Sequence, residues 1–423
     1  MMFRNFIKAA PDYLSLKLSD FIGHFINLKT TDTFKNWIQY ADYSKLMGYS
    51  CRSLFETCMR FLEKKDLVVA TTPLHHTSFR NIIELHVQPE NLHIIPFNDT
   101  YNGLGTLPKL DRCDIIVVTH LFGQDLNLTS LLEFKKKHNC IIIEDRVQGG
   151  TLDLKFSHDV VDIALYSMAM DKRPIALGGG IMHIRNNFRE LIKYVRESVM
   201  DLPLEQVASR KKELLKKIPT YLLYNSRPFL YLFINIVNLL NRFNNDINLL
   251  NITQSYRKSN PGFSHNDFML QPSNSLLKSM HENLGNYSFM EENYAKKSLY
   301  FMNCLPAEVR KFFFPWFKGN ASLTPYNTIQ VPESSIKHFL QYFNDHNMSV
   351  ITNPTYKLFN FPNKFSQKDE QFNNGIIYLP SVANMKKFEI RYLASYIINF
   401  YMTYISAPSK SKTEKITPIQ VIS

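Results

Sequence analysis

The sequence contains few cysteines, and their arrangement argues against a disulfide framework. Five occur among the 423 residues, namely Cys51, Cys58, Cys113, Cys140 and Cys304. The count is odd and no two of them have the spacing of a metal-binding or disulfide pair. We therefore assign no metal site and expect a reducing compartment.

The sequence also lacks an apolar run long enough to cross a membrane. The best candidate, Phe229 to Leu240, has 12 residues and contains Asn235 and Asn238, whereas a membrane span takes roughly 20 apolar residues. Charged residues interrupt the apolar N-terminal region, so it does not have the pattern of a secretory signal. We expect a cytoplasmic protein, with peripheral attachment to a membrane as an open alternative.

Positive charge is in excess, but no nucleic-acid-binding pattern accompanies it. Lys and Arg number 49 against 37 Asp and Glu, which gives a formal net charge of +12. Such an excess suits an anionic partner, such as nucleic acid, a phosphorylated metabolite or a membrane surface. The basic residues are dispersed apart from short clusters at 210–212 and 410–415, and no zinc-finger or RNA-binding signature is present. We expect no nucleic-acid partner.

Helical and strand patterns alternate from about residue 49 to 185. The segments CRSLFETCMRFLEKK, SFRNIIELHV and LTSLLEFKKKH have the apolar spacing of helices, while LVVATT, LHIIPF, DIIVVTH, IIIED and DIALYS are short apolar strands. Strands separated by helices of this length predict right-handed crossovers and an α/β fold with a doubly wound, mostly parallel sheet. In such sheets the ligand site lies outside the carboxyl ends of the strands.

The remaining patterns predict a division of the chain into four parts. These are an N-terminal helical lead-in at 1–30, a large domain at 31–300, a small C-terminal α+β domain at 301–406 and a flexible tail at 407–423. Within the large domain, we expect a long helix over about 273–300.

The large domain also carries a predicted insertion or arm at about 186–265. It combines a basic amphipathic helix over about 187–217 with the apolar stretch PFLYLFINIVNLLNRF. The apolar helix is either buried against the body of the protein or a dimer partner, or it lies on a membrane surface through residues 208–245. A basic segment beside an apolar one suits anionic lipid.

Several chemically useful side chains fall at neighbouring strand ends. Asp145 ends IIIED, with Gln148 three residues later, and Ser167 ends DIALYS. Lys172 follows Ser167 by five residues, and the glycines 178–180 precede the next strand, IMHI. Pyridoxal 5'-phosphate (PLP) needs a lysine for its aldehyde, a carboxylate for its pyridinium nitrogen and hydroxyl groups for its phosphate. The pattern therefore predicts a PLP site.

The same residues resemble a known family. The run THLFGQDLNLTSLLEFKKKHNCIIIEDRVQGG and the later ALYSMAMDKRPIALGGGIM are similar to the core of the fold-type I DegT/StrS-type sugar aminotransferases. That family has an H-x-x-G run, a strand ending in E-D-x-x-Q, and S-F-x-x-x-K before a Gly-rich strand entry. The resemblance is strongest over about 45–185, and it can be followed in the 273–300 helix and in IIYLPSVANMKKFEIRYLASYI.

The resemblance implies roles for the residues at the strand ends. Lys172 would be the Schiff-base lysine and the acid/base of the proton shift. Asp145 would pair with the pyridine nitrogen, Gln148 would lie near the ring hydroxyl, and Ser167 would bind the phosphate. His76 falls where the family places an aromatic residue that stacks on the cofactor ring. The family's Ser-Gly-Thr phosphate turn falls on Tyr49, Ser50 and Cys51, at a helix N-terminus that favours phosphate.

A function follows from the resemblance as an expectation. The enzyme would move an amino group, usually from glutamate, to a keto sugar that is linked to a nucleotide and used for surface polysaccharide or antibiotic sugars. A homodimer is implied as well, because the family's active site is completed across a subunit interface. A related PLP-dependent dehydratase is an alternative with the same lysine.

Three departures from the family's pattern leave a second alternative open. Ser50 and Cys51 replace the glycine and threonine of the phosphate turn, and Arg146-Val147 replaces two small residues. The family's Asn-Tyr-Arg motif has become DFMLQPSN, with Asn266 and Asn274 nearby. These changes would fit a catalytically degenerate binding or scaffold protein, associated with a membrane surface.

Overall fold

The structure is a computed structural model in which most of the chain between residues 34 and 406 is described. The described residues are 34–149, 154–169, 172, 176, 178–206, 208, 211–212, 215, 227–241, 243, 267–285, 287–317, 328–346, 348, 350–353, 356–359, 365–380, 382 and 385–406. The predicted lead-in at 1–30 and tail at 407–423 lie outside them. The predicted domain boundaries remain predictions.

Thirteen strands and eleven α-helices are assigned within the described residues. The strands are β1 (Trp37–Gln39), β2 (Tyr43–Gly48), β3 (Val69–Thr71), β4 (Leu74–His76), β5 (Leu92–Ile94), β6 (Ile115–Thr119), β7 (Ile141–Asp145), β8 (Ile163–Ser167), β9 (Gly180–Arg185), β10 (Thr328–Gln330), β11 (Ile351–Thr352), β12 (Tyr356–Leu358) and β13 (Ile376–Tyr378). The helices are α1 (Cys51–Leu62), α2 (Thr77–His86), α3 (Leu131–His138), α4 (Arg189–Asp201), α5 (Arg227–Asn241), α6 (Asn274–Gly285), α7 (Tyr287–Asn303), α8 (Ala307–Phe313), α9 (Glu333–Asp345), α10 (Gln367–Gly375) and α11 (Lys387–Phe400). A 3-10 turn at Pro89–Asn91 and a π-helical turn at Tyr401–Ile405 complete the assignment.

Eight strands form one large sheet in the order β1-β2-β9-β8-β7-β6-β3-β5. The five strands β5, β3, β6, β7 and β8 run parallel, whereas β9, β2 and β1 join the other edge in antiparallel pairs. Each predicted strand of the 49–185 region is present, and helices α1, α2 and α3 connect or flank them. The predicted α/β class with a mostly parallel sheet is confirmed.

The composition of the central strands explains why they pair in the middle of the sheet. Strand β6, with the sequence IIVVT, is buried at every position, and in β7 only Ile141 is partly exposed. Parallel strands covered on both faces by helices have such continuous β-branched runs. Helix α1 adds Leu54, Phe55 and Cys58, all fully buried, to the core on one face of this sheet.

Two predicted helices differ in the structure. The basic helix expected over 187–217 is interrupted, since α4 ends at Asp201 and Leu202 is extended with ψ 153°, while residues 208, 211–212 and 215 are again helical. Pro203 follows directly, and a residue before proline is driven out of the helical region by the proline ring. The single helix expected over 273–300 is divided into α6 and α7, on either side of residue 286.

The C-terminal part contains both helices and strands and contacts the large sheet at a defined place. Strands β10, β13 and β11 form a small antiparallel sheet, while β12 pairs with β4 so that Tyr356 lies opposite His76. This pairing brings the C-terminal segment to the carboxyl edge of the parallel strands. Of the helices in the described residues, none is both long and apolar enough to cross a bilayer.

Candidate active site

The sheet register brings the predicted residues to one edge. Asp145, the last residue of β7, lies opposite Thr119 at the end of β6 and Leu165 near the end of β8. Ser167 ends β8 and lies opposite Gly180, which begins β9. Because the carboxyl ends of parallel strands meet at one edge, Asp145 and Ser167 share the crevice that the sequence predicted.

Asp145 is a fully buried carboxylate with one oxygen left unpaired. Its Oδ1 accepts a hydrogen bond of 3.0 Å from the backbone N–H of Val147, whereas its Oδ2 has no hydrogen-bond partner among the described residues. Burial raises the pKa of Asp145 to about 6, although the Val147 N–H and the charge of Lys172 both favour its ionised form. A buried polar atom without a partner is costly, and a bound N–H donor would satisfy this one.

Lys172 and the N-terminus of α1 lie within electrostatic range of that carboxylate. The charge of Lys172 acts on the pKa of both Asp145 and Cys51, and Lys172 is only 9% exposed. Its backbone N–H donates to the carbonyl of Ala169 in a 3.0 Å bond, which folds the loop after β8 back on itself. A buried lysine close to a buried aspartate at a strand end is the arrangement that the sequence predicted.

The predicted phosphate turn is held in place by its own helix cap. Ser50 is the N-cap of α1, where its Oγ accepts from the Ser53 N–H at 3.0 Å and the Ser53 hydroxyl donates to the Ser50 carbonyl at 2.7 Å. Cys51 is 4% exposed, and burial, followed by the charge of Asp145, raises the pKa of its thiol. The side chains of this turn therefore serve the cap and the core, which leaves an anion to the backbone N–H groups of the first helical turn.

The glycines at the start of β9 allow this strand to pass close to the N-terminus of α1. Gly178 and Gly179 have φ of 148° and 97°, conformations that favour glycine. The Gly179 N–H donates to the Tyr49 carbonyl at 3.1 Å. A Cβ at Gly180 would lie 2.1 Å from the backbone nitrogen of Cys51, so only glycine lets the strand pass the helix N-terminus.

Gln148 reaches a residue that the sequence reasoning missed. Its Nε2 donates to the hydroxyl of Tyr378 at 3.4 Å, and that hydroxyl donates to Oδ1 of Asn353 at 3.5 Å. The Oε1 of Gln148 is buried and has no hydrogen-bond partner among the described residues. Tyr378 immediately precedes Leu379-Pro380, part of the segment that resembles the family's closing motif, so its position in the sequence was the available signal.

His76 and His75 have different surroundings. His76 caps α2, with Nδ1 accepting from the Ser78 N–H at 3.2 Å, and its ring meets the Tyr356 ring edge to face at 5.8 Å. His75 is fully buried, 2.6 Å from the Thr119 hydroxyl and 2.7 Å from that of Thr71, and burial lowers its pKa to about 3. His75 thus fixes the strand ends, and ring stacking remains a prediction for the half-buried His76.

Arg146, which stands where the family has a small residue, is buried next to the candidate site. Its guanidinium donates to both carboxylate oxygens of Asp125, at 2.7 and 2.8 Å, and lies 4.0 Å from Glu144. Burial raises the pKa of Glu144, but the charge of Arg146 and the hydrogen bond from His120 outweigh it, so the pKa is lowered overall. His120 is fully buried, and its Nε2 is 3.0 Å from Glu144.

The Asn-Tyr-Arg substitutes do not gather at this edge in the described residues. Asn266 lies outside them, and Asn274 is exposed at the first position of α6.

The side chains that the structure brings together fit PLP. The unpaired Oδ2 of Asp145 accepts, as a pyridinium N–H requires, and Lys172 supplies a nearby amine. The glycine contact at Gly180 keeps the N-terminus of α1 beside the end of β8, where an anion would meet Ser167. The set of groups that PLP requires is therefore present at one edge of the sheet.

Comparisons with known proteins place this fold among aminotransferases of solved structure. No protein-family profile matches the chain, and no curated protein sequence matches it. PseC of Helicobacter pylori, an aminotransferase involved in the biosynthesis of pseudoaminic acid, is 14% identical with a TM-score of 0.65, covering 93% of this chain and 99% of PseC. NtdA of Bacillus subtilis, solved with bound cofactor PMP, is 12% identical with a TM-score of 0.62, covering 94% of this chain and 86% of NtdA.

A third structure carries the family name that the sequence suggested. It is a DegT DnrJ EryC1 StrS aminotransferase from Brucella abortus, 12% identical with a TM-score of 0.52, covering 84% of this chain and 85% of its own. At such low identity the likeness concerns the fold. The chain has the fold of these aminotransferases over almost its whole length, as the resemblance implied.

Proposed function

We propose that this protein is a PLP-dependent aminotransferase. The observation that carries the proposal is the buried Oδ2 of Asp145, which has no hydrogen-bond partner among the described residues and lies within electrostatic range of Lys172. Most buried carboxylate oxygens accept at least one hydrogen bond, so an unpaired one calls for an explanation. Buried polar groups left unsatisfied are typical of sites that bind a ligand.

The roles of the site residues follow from their chemistry. When bound, PLP supplies an aldehyde that condenses with an amine and a ring that withdraws electrons from the substrate carbon. Asp145 would hold a proton on the pyridine nitrogen, and the charge of that N–H would favour its carboxylate form. Lys172 would bind the cofactor through its amine, and the released amine would remove and return the proton at the substrate α-carbon.

The remaining predicted contacts position the cofactor. Gln148, oriented by the hydroxyl of Tyr378, would contact the ring hydroxyl. Ser167 and the first turn of α1, beginning at Ser50 and Cys51, would hold the phosphate, and His76 would stack on the ring.

We propose an amino acid as donor, with glutamate as the first candidate, and a keto sugar linked to a nucleotide as acceptor. The sequence resemblance supports both, and the printed role of PseC in pseudoaminic acid biosynthesis supports a sugar. The net charge of +12 is compatible with a pyrophosphate-bearing substrate. We further propose a homodimer that works in the cytoplasm, where free thiols such as Cys58 and Cys113 persist.

The test is the visible spectrum of the purified protein. After incubation with PLP and removal of the excess, the wild type should be yellow, and borohydride should bleach the band. Lys172→Ala should lack the band, whereas Lys137→Ala, which removes an exposed lysine on α3, should keep it. A protein that stays colourless under these conditions would refute the proposal.

Glutamate separates transamination from other PLP chemistry. The proposal expects glutamate to convert the yellow form to the amine form of the cofactor with release of 2-oxoglutarate. A dehydratase of the same fold would instead release water from a sugar substrate and return no amino sugar. Product analysis with keto-sugar nucleotides therefore distinguishes the two reactions.

A non-catalytic scaffold is the second candidate, because one observation favours it. The hydroxyl of Ser50 is engaged in the hydrogen bonds of the α1 capping box, and the thiol of Cys51 is buried and protonated. If the backbone N–H groups alone hold phosphate too weakly, the protein would not retain PLP. The spectrum of the wild type decides between the two candidates.

A further inference from the structure

Helix α5 carries an apolar face that is exposed within the part of the chain that the structure describes. Its exposed large apolar side chains are Phe229, Leu232, Ile236, Leu239 and Leu240, with exposed fractions between 42% and 56%. Phe243, just beyond the helix, is 82% exposed. At 3.6 residues per turn these five helix positions fall within an arc of about 100°. Val237, which lies outside this arc, is 2% exposed.

The exposed apolar side chains of the protein concentrate in this region. Of the large hydrophobic side chains that are exposed in the described residues, more than half lie between residues 200 and 243, and Met200, Leu204 and Leu215 join those of α5. A contiguous apolar patch on a globular protein marks an interaction site. The exposed face of α5 is therefore left to the other two occupants that the sequence suggests, a dimer partner or a membrane surface.

Positive charge accompanies the apolar face. Residues 208–245 contain seven Lys or Arg residues and a single acidic residue, Glu213, for a net charge of +6. Half of the net charge of the whole chain thus falls in this segment. The side chains of Lys211 and Lys212 are exposed, while α5 itself has no acidic residue.

The exposed apolar side chains together with the positive charge distinguish between two occupants of the face, a second copy of the chain and a membrane. A two-fold dimer formed through the face would place two copies of a +6 segment beside each other, and their mutual repulsion opposes that pairing. An anionic bilayer supplies the opposite charge to the basic residues and an apolar interior to the exposed stripe of α5. The observations therefore favour lipid over a second copy.

We propose that the exposed face of α5 docks on the surface of an anionic membrane. The helix lies in the plane of the interface, with Phe229, Leu232 and Ile236 inserted at the boundary of headgroups and acyl chains. Lys211 and Lys212, whose side chains are exposed, contact the lipid headgroups. The inference does not depend on the proposed transamination.

Vesicle flotation of the full-length protein tests the proposal. Wild type should float with vesicles of phosphatidylcholine containing phosphatidylserine, and should bind those of phosphatidylcholine alone at least about thirtyfold less. The double variant Leu232→Asn/Ile236→Asn should lose binding to both, and Lys211→Gln/Lys212→Gln, at about 1 kcal/mol per lysine, should weaken binding to the anionic vesicles by about thirtyfold. Leu85→Asn, which changes an apolar residue of α2 that is 62% exposed, is the matched control and should bind as the wild type does.

Circular dichroism and gel filtration of each variant establish that the fold is kept. Wild type that remains with the soluble fraction in the presence of anionic vesicles overturns the proposal. Equal flotation of wild type and Leu232→Asn/Ile236→Asn overturns it as well. A fall in oligomer size in that variant, without vesicle binding by the wild type, assigns the face to a second copy and also overturns it.

Discussion

Asp145 is expected to destabilise the protein when no cofactor is bound, and Asp145→Asn should therefore increase the stability of the apoprotein. Burial raises the pKa of Asp145 from 3.8 to about 6. Above pH 6, the difference between these two values corresponds to a cost of about 3 kcal/mol for ionising the group in the folded state. Asparagine keeps an oxygen for the Val147 N–H and carries no charge, so it avoids this cost.

The dependence on pH gives the prediction its sign. The folded state keeps its proton up to about pH 6, whereas the unfolded chain loses it near pH 3.8. Because the folded state binds more protons between these values, the contribution of Asp145 to stability is lost as the pH rises through that range. The gain from Asp145→Asn should be about 3 kcal/mol at pH 7 and about one third of that at pH 4.5.

Urea denaturation of both apoproteins at pH 7 and pH 4.5, at one protein concentration, measures this difference. The same variant should fail to retain PLP, because it offers no carboxylate to the pyridinium nitrogen. An Asp145→Asn protein that is less stable than wild type at pH 7 would refute the reasoning, since it would make the carboxylate a structural group.

Three further substitutions test the framework around the site. Arg146→Ala leaves Asp125 and Glu144 without their buried cation and should lower the free energy of unfolding by about 3 kcal/mol in urea denaturation. An unchanged midpoint would mean that these ion pairs do not stabilise the protein. Gly180→Ala should abolish soluble folded protein because its Cβ would meet the Cys51 backbone; the control Gly285→Ala, which has open space, should be neutral in thermal unfolding. Tyr378→Phe should weaken PLP affinity about fivefold, the value of one hydrogen bond, in a fluorescence titration. Unaltered affinity would show that the Tyr378 hydroxyl is not needed to orient Gln148 for PLP binding.

The parallel half of the sheet could be predicted because the composition of its strands indicates that they are buried. The runs IIIED and DIALYS are short, apolar and β-branched, and each ends in a polar side chain. A strand that is covered on both faces has a continuous apolar run, whereas a strand exposed on one face alternates between apolar and polar residues. The same strand ends gave the positions of Asp145 and Ser167, since parallel strands share a carboxyl edge.

The antiparallel edge could not be predicted in the same way. Strand β2 reads YSKLMG, a mixed sequence without a clear period, and its place in the sheet is set by pairing with β9, more than a hundred residues away. The predicted basic helix over 187–217 is interrupted after Asp201, because the ring of Pro203 drives Leu202 out of the helical conformation. In both cases a tertiary contact or a local backbone restriction outweighed the apolar pattern.

Distance along the chain also concealed part of the candidate site. Tyr378 lies 230 residues from Gln148 in sequence and reaches it only because β12 pairs with β4 and β13 packs nearby. The burial of Arg146 was equally hidden, since a lone arginine in a loop after a strand is usually solvated. Its partner Asp125 is on a different loop, 21 residues away.

The central claim is that Lys172 binds PLP covalently. The most direct measurement is peptide mapping by mass spectrometry after the protein is loaded with PLP and reduced with borohydride. The account predicts that the peptide containing Lys172 carries the mass of a pyridoxyl phosphate group at near-stoichiometric yield. Modification spread over surface lysines such as Lys137, with Lys172 unmodified, would contradict it.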